Sequence, residues 1–290
     1  MIIGLDVGGT HTDVVLVGKE GPEREIKVPT DHEDLFNTVL TGLEKATDGI
    51  DQSRIERAVL STTLTTNAIV QDRIEPVGMI VEGGPGIDPE YFRTNDHYFC
   101  VSGAIDHRGR ETAPLHASEI EKIKAHFEKE GIRYAGIVGK FSVRNPKHEL
   151  AVADILGGVA EKVFMGHRTS GKLNFPRRIA STFLNASVHS VHKNFFEAVK
   201  KSLEKKNLSM PIHILKADGG TMNFESSLDF PGQTILSGPA ASVMGSIAFG
   251  SRDGEDLALD IGGTTTDMAI LINQVPLLNP LGIQVGPYKT

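Results

Sequence analysis

The sequence predicts an α/β protein in which mixed sheets are flanked by helices, and three observations lead to this prediction. Short β-rich runs alternate with amphipathic helical segments along the 290 residues. The segment 4–17 recurs at 258–271 with half of the aligned residues identical, which indicates two related parts. Between residues 118 and 165, helices and strands alternate as in a second α/β layer inserted into the first half.

Each copy of the repeat has the pattern of a strand, a Gly-Gly turn and a second strand. Glycine accepts positive φ and has no Cβ, so backbone N–H groups in such a turn can approach a phosphate closely. The aspartate that ends the leading strand, Asp6 or Asp260, is where a hydrated Mg²⁺ would sit. A single hairpin of this kind is more often an ordinary turn, but the duplication favours two hairpins that hold a polyphosphate between them.

The part of the chain after the first hairpin predicts a sheet with helices. Strands are predicted at 23–29, 57–61 and 77–81, and a helix at 34–46. A Thr- and Asn-rich stretch after the second of these strands opens another helix, which Thr62 or Thr63 would cap. The start of that helix is a second candidate anion site, and capping alone is an equally good interpretation.

Residues 82–114 are rich in Gly, Pro, His and Asp and lack periodicity, which predicts a long loop. We expect Arg108 and Arg110 in this loop to help form the substrate side of a cleft. Ser118 and Glu121 have the spacing of a capping box, which predicts a helix that starts there and stops at Gly131. The elements predicted next are a strand at 134–141, a helix from 146 to about 162 and a strand from 163.

Two motifs in the middle of the chain resemble functional sites but lack residues that those sites require. Residues 166–173 almost match a P-loop, but Leu173 replaces the hydroxyl that would bind Mg²⁺, and Pro176 interrupts the required helix. His189 and His192 lie three apart on the longest predicted helix, 177–206. Because no carboxylate or cysteine at matching spacing lies nearby, we interpret them as ordinary helix histidines rather than metal ligands.

The region before the second hairpin contains another candidate ligand loop. A strand predicted at 212–217 runs into a turn with Gly219 and Gly220, and α/β proteins bind ligands where strands end in glycine turns. Ser237 and Gly238 then begin a helix of small residues, which permits close helix packing.

Composition limits the class of protein. The net charge of −7 argues against a nucleic-acid or anionic-membrane partner, since both favour basic surfaces. The single Cys100 excludes an internal disulfide and a cysteine zinc site, and it predicts a reducing, cytoplasmic setting. We find no signal-peptide pattern and no apolar run long enough to span a bilayer.

The paired hairpins resemble the phosphate-1 and phosphate-2 motifs of the actin-like ATPase superfamily, which includes Hsp70 chaperones and sugar kinases. The Gly-Gly-Thr-x-Thr-Asp form of both copies resembles the hydantoinase/oxoprolinase family, hydantoinase A type. Three further stretches resemble motifs of that family in the same order: Ser61–Ala68, Asp218–Met222 and Leu236–Ala241. The resemblance covers essentially the whole chain and implies an actin-like ATPase (ribonuclease H-like) fold.

Two departures from the family matter. Leu60 and Ser61 stand where the family usually has His-Gly, so any role of that histidine is absent here. The family also continues past its second hairpin into a glycine-rich segment that closes over adenosine. We therefore expect either a truncated sequence with an incomplete second lobe or a partner half elsewhere.

The resemblance implies a division of the chain into four parts. These are residues 1–75, the first half of lobe I with the first hairpin; 76–175, the inserted α/β region with the long loop; 176–250, the remainder of lobe I and a connecting helix; and 251–290, the start of lobe II with the second hairpin.

The implied activity is ATP-dependent opening of a cyclic amide such as 5-oxoproline or a hydantoin, through phosphorylation of the amide oxygen. The implied cofactors are ATP and Mg²⁺, with Asp6 and Asp260 holding the metal through water. Asp13 or Asp267 would order metal-bound water or act as base, and His11 would contact the γ-phosphate or face solvent. The residues implied to bind the cofactor are Gly8, Gly9, Thr10, His11, Thr12, Gly219, Gly220, Ser237, Gly238, Gly262, Gly263, Thr264 and Thr265.

Two alternatives to the cyclic amidase stay open. One is a small-molecule kinase of the sugar-kinase branch, which a phosphorylated sugar product would identify. The other is a nucleotide-binding regulatory or carboxylase-type subunit, in which a partner performs the chemistry. The expected partners are a small cyclic amide, a second subunit or missing C-terminal lobe, and further copies of the chain in a homo-oligomer.

Overall fold

The computed structural model of the protein describes residues 1–251, 253–261, 266–279 and 282–289. The chain forms two compact units, each assembled from separate stretches of sequence. Unit 1 consists of Met1–Gln71 and Val191–Leu281, and unit 2 consists of Asp72–Ser190 and Gly282–Thr290. The four-part division expected from the resemblance stays a prediction.

The strands and helices alternate along the chain as an α/β sequence requires. The strands are β1 (Ile2–Val7), β2 (His11–Val17), β3 (Pro22–Pro29), β4 (Arg57–Thr62), β5 (Val77–Glu82), β6 (Tyr98–Val101), β7 (Ala104–Ile105), β8 (Glu111–Ala113), β9 (Tyr134–Gly139), β10 (Lys162–Met165), β11 (Ile212–Leu215), β12 (Thr221–Asn223), β13 (Glu255–Ile261), β14 (Thr266–Ile272), β15 (Val275–Pro276), β16 (Gln284–Val285) and β17 (Tyr288–Lys289). The helices are α1 (Leu35–Thr47), α2 (Leu64–Val70), α3 (Ala117–Glu130), α4 (Lys147–Leu156), α5 (Gly166–Thr169), α6 (Phe175–Lys205), α7 (Phe224–Asp229) and α8 (Ser237–Phe249). Among the described residues, none of the helices combines the length and apolar character that a bilayer span requires.

Unit 1 is built on a six-stranded mixed sheet with the order β12-β11-β4-β1-β2-β3. Strands β1, β4 and β11 are parallel, whereas β2, β3 and β12 run antiparallel to their neighbours. A separate sheet, β13-β14-β15, carries the second copy of the repeat. Both predicted hairpins and the predicted third strand are therefore confirmed.

The core of unit 1 lies against one face of the six-stranded sheet. Alternate residues of β1 and β2 are almost completely buried, as the period of two along a strand requires: Ile3, Leu5, Val7, Val14 and Leu16. They share one apolar cluster with the inner faces of α1 and α6, which supply Val39, Leu43, Phe195, Val199 and Leu203. This packing fixes the position of the first Gly-Gly turn at the end of β1.

Unit 2 contains a four-stranded parallel sheet with the order β10-β9-β5-β6. Helices α3 and α4 pack with it in a second apolar cluster that includes Ile120, Phe127 and Val152. Strand β5 and helix α3 pack so closely that Gly78 has no room for a side chain: a Cβ there would lie 2.0 Å from the ring of Phe127. Two short ribbons, β7-β8 and β16-β17, complete the unit.

Residues 82–114 form more structure than the sequence predicts. The segment contains β6, which pairs with β5, and the β7-β8 ribbon, so the prediction of one long loop is wrong. The four-residue strand β6 and the shorter ribbon strands are too brief to show a periodic pattern in the sequence.

The predicted capping box at Ser118 and Glu121 is also wrong. Helix α3 begins at Ala117, so Ser118 lies inside its first turn, and the N-cap is His116 without a side-chain hydrogen bond. The helix ends at Gly131 as predicted, because this glycine adopts φ 66° and closes the last turn. Helix α4 ends earlier than predicted, at Leu156, where two glycines follow.

The two histidines of α6 have packing contacts, in agreement with their interpretation as ordinary helix residues. His192 is fully buried in unit 1, and its Nε2 lies 2.8 Å from Oγ of Ser227. His189 belongs to unit 2, where its ring packs edge-on against the rings of Tyr134 and Phe164.

Candidate functional site

The first hairpin places Asp6 and Asp13 directly opposite each other on β1 and β2. The turn between the strands requires glycine, because a Cβ at Gly8 would lie 2.9 Å from the carbonyl oxygen of His11. The N–H of Gly8 donates to that same oxygen at 3.0 Å and closes the hairpin. Gly9, Thr10 and His11 are exposed, so the turn presents its backbone to solvent beside the two carboxylates.

Asp6 is held by the neighbouring parallel strand. Its partner in the register with β4 is Ser61, whose hydroxyl donates a hydrogen bond to the Asp6 carboxylate. Burial raises the pKa of Asp6 above its ordinary value, the bond from Ser61 opposes that rise, and the negative charges of Asp13 and Asp260 add to it. A half-buried carboxylate beside two acidic neighbours favours a cation or a proton at this position.

The second hairpin repeats this arrangement on β13 and β14. Asp260 and Asp267 lie directly opposite each other in the strand register. Oδ2 of Asp260 accepts a hydrogen bond from Oγ of Ser242 on α8, at 2.5 Å. Burial raises the pKa of Asp267, and the negative charge of Asp260 contributes to the rise. The four turn residues of this copy lie outside the described residues: Gly262, Gly263, Thr264 and Thr265.

Within unit 1 the two copies of the repeat share one electrostatic environment. Burial is the main cause of the raised pKa of Asp6, and the negative charges of Asp13 and then Asp260 make smaller contributions in the same direction. The structure therefore brings together the four aspartates that the repeat singles out, in two opposed pairs: Asp6 with Asp13, and Asp260 with Asp267.

Helix α8 joins the two copies of the repeat. Its first residue, Ser237, is buried and donates from Oγ to the carbonyl oxygen of Thr62 at 3.3 Å. The preceding backbone N–H of Leu236 donates to Oγ1 of Thr66 at 2.9 Å. At Gly238 a Cβ would lie 3.1 Å from Cγ2 of Thr63, so a small residue permits this close approach. The helix thus begins on the connection between β4 and α2, and one turn later its Ser242 reaches Asp260.

The loop between β11 and β12 packs against the same helix. Gly219 adopts φ 79°, and a Cβ there would lie 2.8 Å from Sδ of Met244 on α8. The loop is held by Asp218, which accepts from the N–H of Gly220 at 2.9 Å and pairs with Lys216 at 2.9 Å. Gly219 of the predicted ligand loop is therefore positioned beside the helix that contacts Asp260, whereas the nearest atoms to Gly220 belong to Asp218 and Lys216.

Thr12 occupies a different environment from the exposed turn residues. It is fully buried, and its Oγ1 lies 2.9 Å from Oγ1 of Thr30, so its side chain supports the hairpin from inside. Nε2 of His32 lies 2.8 Å from the carbonyl oxygen of Gly9 and braces the turn from a neighbouring loop.

Sequence reasoning missed three residues that hold the site: Ser61, Ser242 and His32. Ser61 was noted as the start of a family-like stretch and as a departure from the family's usual His-Gly, but not as a partner of Asp6. Its contact with Asp6 depends on the parallel register of β1 and β4, which no local pattern reveals. Ser242 carried one usable signal, because it lies one helical turn after Gly238 and so points along the same face of α8.

Arg108 and Arg110 belong to unit 2 and are engaged within it. The backbone N–H groups of both donate to Asp106, and the Arg110 side chain pairs with the same carboxylate at 2.9 Å. These bonds, chiefly the one from the Arg110 N–H, lower the pKa of Asp106 to about 2. A role of the two arginines toward a substrate stays a prediction.

Two family models match the chain. One, described as hydantoinase/oxoprolinase N-terminal region, matches residues 2–159, and one described as hydantoinase/oxoprolinase matches residues 178–283. The chain is 22% identical to the caprolactamase subunit alpha of Pseudomonas jessenii, over 92% of this chain and 43% of that protein. It is 25% identical to the acetophenone carboxylase gamma subunit of Aromatoleum aromaticum, over 93% of this chain and 42% of that protein.

Solved structures agree with these sequence relationships. The nucleotide-free structure of acetone carboxylase matches with a TM-score of 0.81 at 19% identity, over 94% of this chain and 44% of that chain. The ATP-dependent caprolactamase from Pseudomonas jessenii matches with a TM-score of 0.72 at 23% identity, over 93% of this chain and 43% of that chain. The chain thus spans less than half the length of these relatives. By these matches and by its fold, it belongs to the hydantoinase/oxoprolinase family and has the actin-like ATPase fold.

Proposed function

We propose that this chain is the nucleotide-binding part of an ATP-dependent enzyme that opens a cyclic amide of the 5-oxoproline or hydantoin type. One observation carries the proposal: the charge of Asp260 reaches Asp6, and each aspartate lies near the end of a strand that a Gly-Gly-Thr sequence follows. The similarity to the ATP-dependent caprolactamase, which by its name acts on a lactam, supports the proposal.

The residues present fit a hydrated Mg²⁺. Asp6 is a half-buried carboxylate whose pKa is raised by burial and by the charges of Asp13 and Asp260, and a cation at this position would relieve that repulsion. Within the described ranges no cluster of three or more His, Cys, Asp or Glu side chains could hold a metal directly. The fit is therefore to an ion that keeps its water shell and touches the protein through Asp6 and Asp260, as Mg²⁺ commonly does.

The first turn would bind phosphate through its backbone. The N–H of Gly8 is already committed to His11, so we assign the phosphate contacts to Gly9 and Thr10, with His11 beside them. Gly219 lies against α8 and Gly238 lies within it, and with Gly220 of the same loop they would line the remainder of the nucleotide site. The corresponding contacts of residues 262–265 are assigned from the repeat alone.

Bound Mg-ATP would supply its γ-phosphoryl group to the amide oxygen, with ADP as the leaving group. Water then adds to the activated carbon, and the C–N bond breaks as the nitrogen takes a proton. A second water releases phosphate from the resulting acyl phosphate. The protein contributes position and charge neutralisation to these steps, because an amide carbonyl is otherwise a poor electrophile.

Asp267 is the stronger candidate for the base that orders or deprotonates water. Burial and the charge of Asp260 raise its pKa, which brings it closer to the value that suits proton transfer near neutral pH. Asp13, its counterpart in the first copy, pairs with Nζ of Lys27 at 3.2 Å, so its carboxylate already has a cationic partner.

The proposal is tested by phosphate release from Mg-ATP in the presence of a panel of lactams and hydantoins. We expect release that one ring compound stimulates and that Asp260→Asn abolishes. The matched control is Glu255→Gln, an exposed acid at the start of the same strand, which should leave the rate unchanged. Equal loss in both variants, or release that no ring compound changes, would contradict the cyclic amidase.

A second candidate function is a carboxylase-type subunit, and the relatives favour it specifically. The acetophenone carboxylase gamma subunit and acetone carboxylase are both similar to this chain over more than nine-tenths of its length. In that case nucleotide binding would need Asp6 and Asp260, but phosphate release would require a ketone, bicarbonate and a copurifying subunit. Turnover with lactams by the purified chain would exclude this alternative.

A further inference from the structure

Helix α4 brings a buried carboxylate to the carboxyl ends of two neighbouring strands of unit 2. Glu149, in the first turn of α4, is 1% exposed. Its Oε1 accepts from the N–H of Gly139 at the end of β9, at 2.9 Å. Its Oε2 accepts from the N–H of His167 on α5, which follows β10, at 3.1 Å. The same Oε2 lies 2.5 Å from Nδ1 of the His167 ring, so the carboxylate and the ring form a dyad.

These bonds determine the tautomer of His167. Both oxygens of Glu149 already accept backbone N–H groups, so the carboxylate is an acceptor toward the ring as well, and Nδ1 carries the hydrogen. Nε2 of the neutral ring is then left with a lone pair. Within the described part of the chain, Nε2 has no hydrogen-bond partner, and it is not among the polar atoms that are buried without one. It therefore reaches solvent as a free acceptor, on a side chain that is 19% exposed.

The backbone around the dyad is fixed from several directions. Arg178 is fully buried, and its Nη2 donates to the carbonyl oxygen of Gly139 at 2.7 Å. The guanidinium and the Glu149 carboxylate thus hold the C=O and the N–H of one glycine. At Gly166 a Cβ would lie 3.0 Å from Oε1 of Glu149, so the lack of a side chain lets α5 begin close to the carboxylate. A ring held in this way is pre-organised, because little side-chain freedom remains to be lost on binding.

The neighbouring histidine of α4 shows a closed form of the same arrangement. Nδ1 of His148 lies 3.0 Å from Glu82, its Nε2 lies 3.1 Å from Glu111, and its side chain is 4% exposed. Both nitrogens of His148 are therefore used within unit 2. The Glu149 carboxylate instead orients a ring whose second nitrogen stays open, which is how proteins direct a histidine toward a ligand.

A cationic side chain lies in the loop that follows His167. The Nη1 group of Arg178 donates to the carbonyl oxygen of Lys172 at 2.8 Å, so one guanidinium ties Lys172 to Gly139 at the end of β9. The Lys172 side chain is exposed, and its ammonium group has no hydrogen-bond or ion-pair partner among the described residues. An acceptor and an ammonium group are thus available at the carboxyl ends of parallel strands, where α/β sheets bind ligands.

We propose that these ends of β9 and β10 bind a cyclic amide, whose ring N–H donates to Nε2 of His167 and whose carbonyl oxygen accepts from Lys172. In a small ring the amide is cis, so its N–H and C=O point to the same side and can contact an acceptor and a cation together. Glu149 is the positioning residue, because it keeps Nε2 unprotonated and open. The identity of the ligand rests on the proposed function, whereas the site consists of residues of unit 2 alone.

Carbethoxylation tests the site in the absence of nucleotide. Diethyl pyrocarbonate acylates an unprotonated imidazole nitrogen that solvent reaches, and peptide mass spectrometry gives the rate at each histidine. We expect His167 to react faster than His148, and 5-oxoproline, caprolactam or hydantoin to slow the reaction of His167. The rate at His116, an exposed histidine, is the control and should stay the same. Equal rates at His167 and His148, or no protection by any of the three compounds, would overturn the proposal.

The variant His167→Asn separates a binding role from a structural one. Asparagine places an amide nitrogen near the position of Nδ1, so it keeps the bond to Glu149 and removes Nε2. Isothermal titration should give a Kd for the protecting compound that is roughly fivefold to tenfold higher, as the loss of one hydrogen bond predicts, with an unchanged Tm. His116→Asn is the matched control and should leave the Kd unchanged. A lower Tm with an unchanged Kd for His167→Asn would show a structural role only and overturn the proposal.

Phosphate release distinguishes this site from the proposed function. If a ring compound stimulates release and its Kd is the same in wild type and His167→Asn, the site is overturned and the proposed function stands. If a ring compound protects His167 and binds more weakly to His167→Asn but stimulates no release, the site stands and the proposed function is contradicted.

Discussion

Oγ of Ser242 lies 2.5 Å from Oδ2 of Asp260, so a serine hydroxyl of α8 holds the aspartate of the second hairpin. Ser61 of β4 holds Asp6 of the first hairpin in the same way. Each leading carboxylate is therefore oriented by a hydroxyl from the element next to it, although the two donors come from a helix in one case and a strand in the other.

Replacing Ser242 with alanine should weaken Mg-nucleotide binding. The variant removes one hydrogen bond to a carboxylate that we assign to the hydrated metal, a loss of about 1 kcal/mol or roughly a fivefold rise in Kd. Isothermal titration with Mg-ATP measures the change. Ser246→Ala is the matched control, because Ser246 lies one turn later and donates to the carbonyl oxygen of Ser242 instead. Equal affinity in wild type and Ser242→Ala would remove the orienting role.

Replacing Asp6 with asparagine should weaken Mg-nucleotide binding without lowering stability. Burial raises the pKa of Asp6, so at neutral pH the folded chain holds an ionised carboxylate that it disfavours relative to the unfolded chain. Asparagine removes that charge and can still accept the bond from Ser61. Thermal unfolding without nucleotide should give a Tm equal to or above that of wild type.

Asp34→Ala provides the contrast for this measurement. Oδ1 of Asp34 accepts from the N–H of Asn37 at 3.1 Å and caps α1, so its removal should lower the Tm. A lower Tm for Asp6→Asn than for Asp34→Ala would mean that the Asp6 carboxylate stabilises the fold, contrary to the reasoning above.

Gly8 and Gly9 should respond differently to alanine. A methyl group at Gly8 would meet the carbonyl oxygen of His11 at 2.9 Å, and relieving that overlap should cost about 1–3 kcal/mol of unfolding free energy. At Gly9 the nearest atom, Nδ2 of Asn67, lies at 3.5 Å, an ordinary contact, so stability should change by only about 0.5 kcal/mol. Urea unfolding measures both. Gly9→Ala should instead raise the Kd for Mg-ATP, because the methyl group enters the proposed phosphate turn.

The contributions of Glu82 and Glu111 to the free energy of unfolding should change in opposite directions as pH rises. Both carboxylates bond to His148, at 3.0 Å and 3.1 Å. Burial raises the pKa of Glu82, so its contribution to stability is complete below 4.5 and is lost as pH rises through the folded-state pKa. The bond from Lys147 lowers the pKa of Glu111, so its contribution is present above 4.5 and is lost as pH falls.

Urea unfolding across the pH range separates these two effects. The unfolding free energy of Glu82→Gln relative to wild type should rise with pH, whereas that of Glu111→Gln should fall relative to wild type. If both variants follow wild type in parallel at every pH, the environment assigned to these carboxylates is wrong.

The hairpins could be predicted from sequence because their signals are local. A Gly-Gly turn between two alternating runs determines strand, turn and strand within the segment 4–17, and the second copy repeats the evidence. Helix α6 was predictable for the same reason, since its apolar spacing persists over many turns.

Features that depend on distant pairing could not be predicted in this way. The contact between Ser61 and Asp6 requires the parallel register of β1 with β4, and that register is set by packing of the whole sheet. The start of α3 was misplaced because the local spacing of Ser118 and Glu121 was satisfied while the backbone began its turn at His116. The short strand β6 forms by pairing with the edge of β5, and the four residues of β6 carry no local pattern that predicts this pairing.

Because unit 1 is assembled from two distant stretches of sequence, the order in which the two units fold is constrained. Strand β11 pairs with β4, and Ile214 lies opposite Leu60. All four strands of the parallel sheet of unit 2 lie between these two residues in the sequence. That four-stranded sheet draws on residues 77–165 alone. Long-range parallel pairing is slow, and chains emerge from the ribosome N-terminus first. We therefore expect the sheet of unit 2 to form during synthesis, while the first hairpin waits for residues beyond 212 before its own sheet can close.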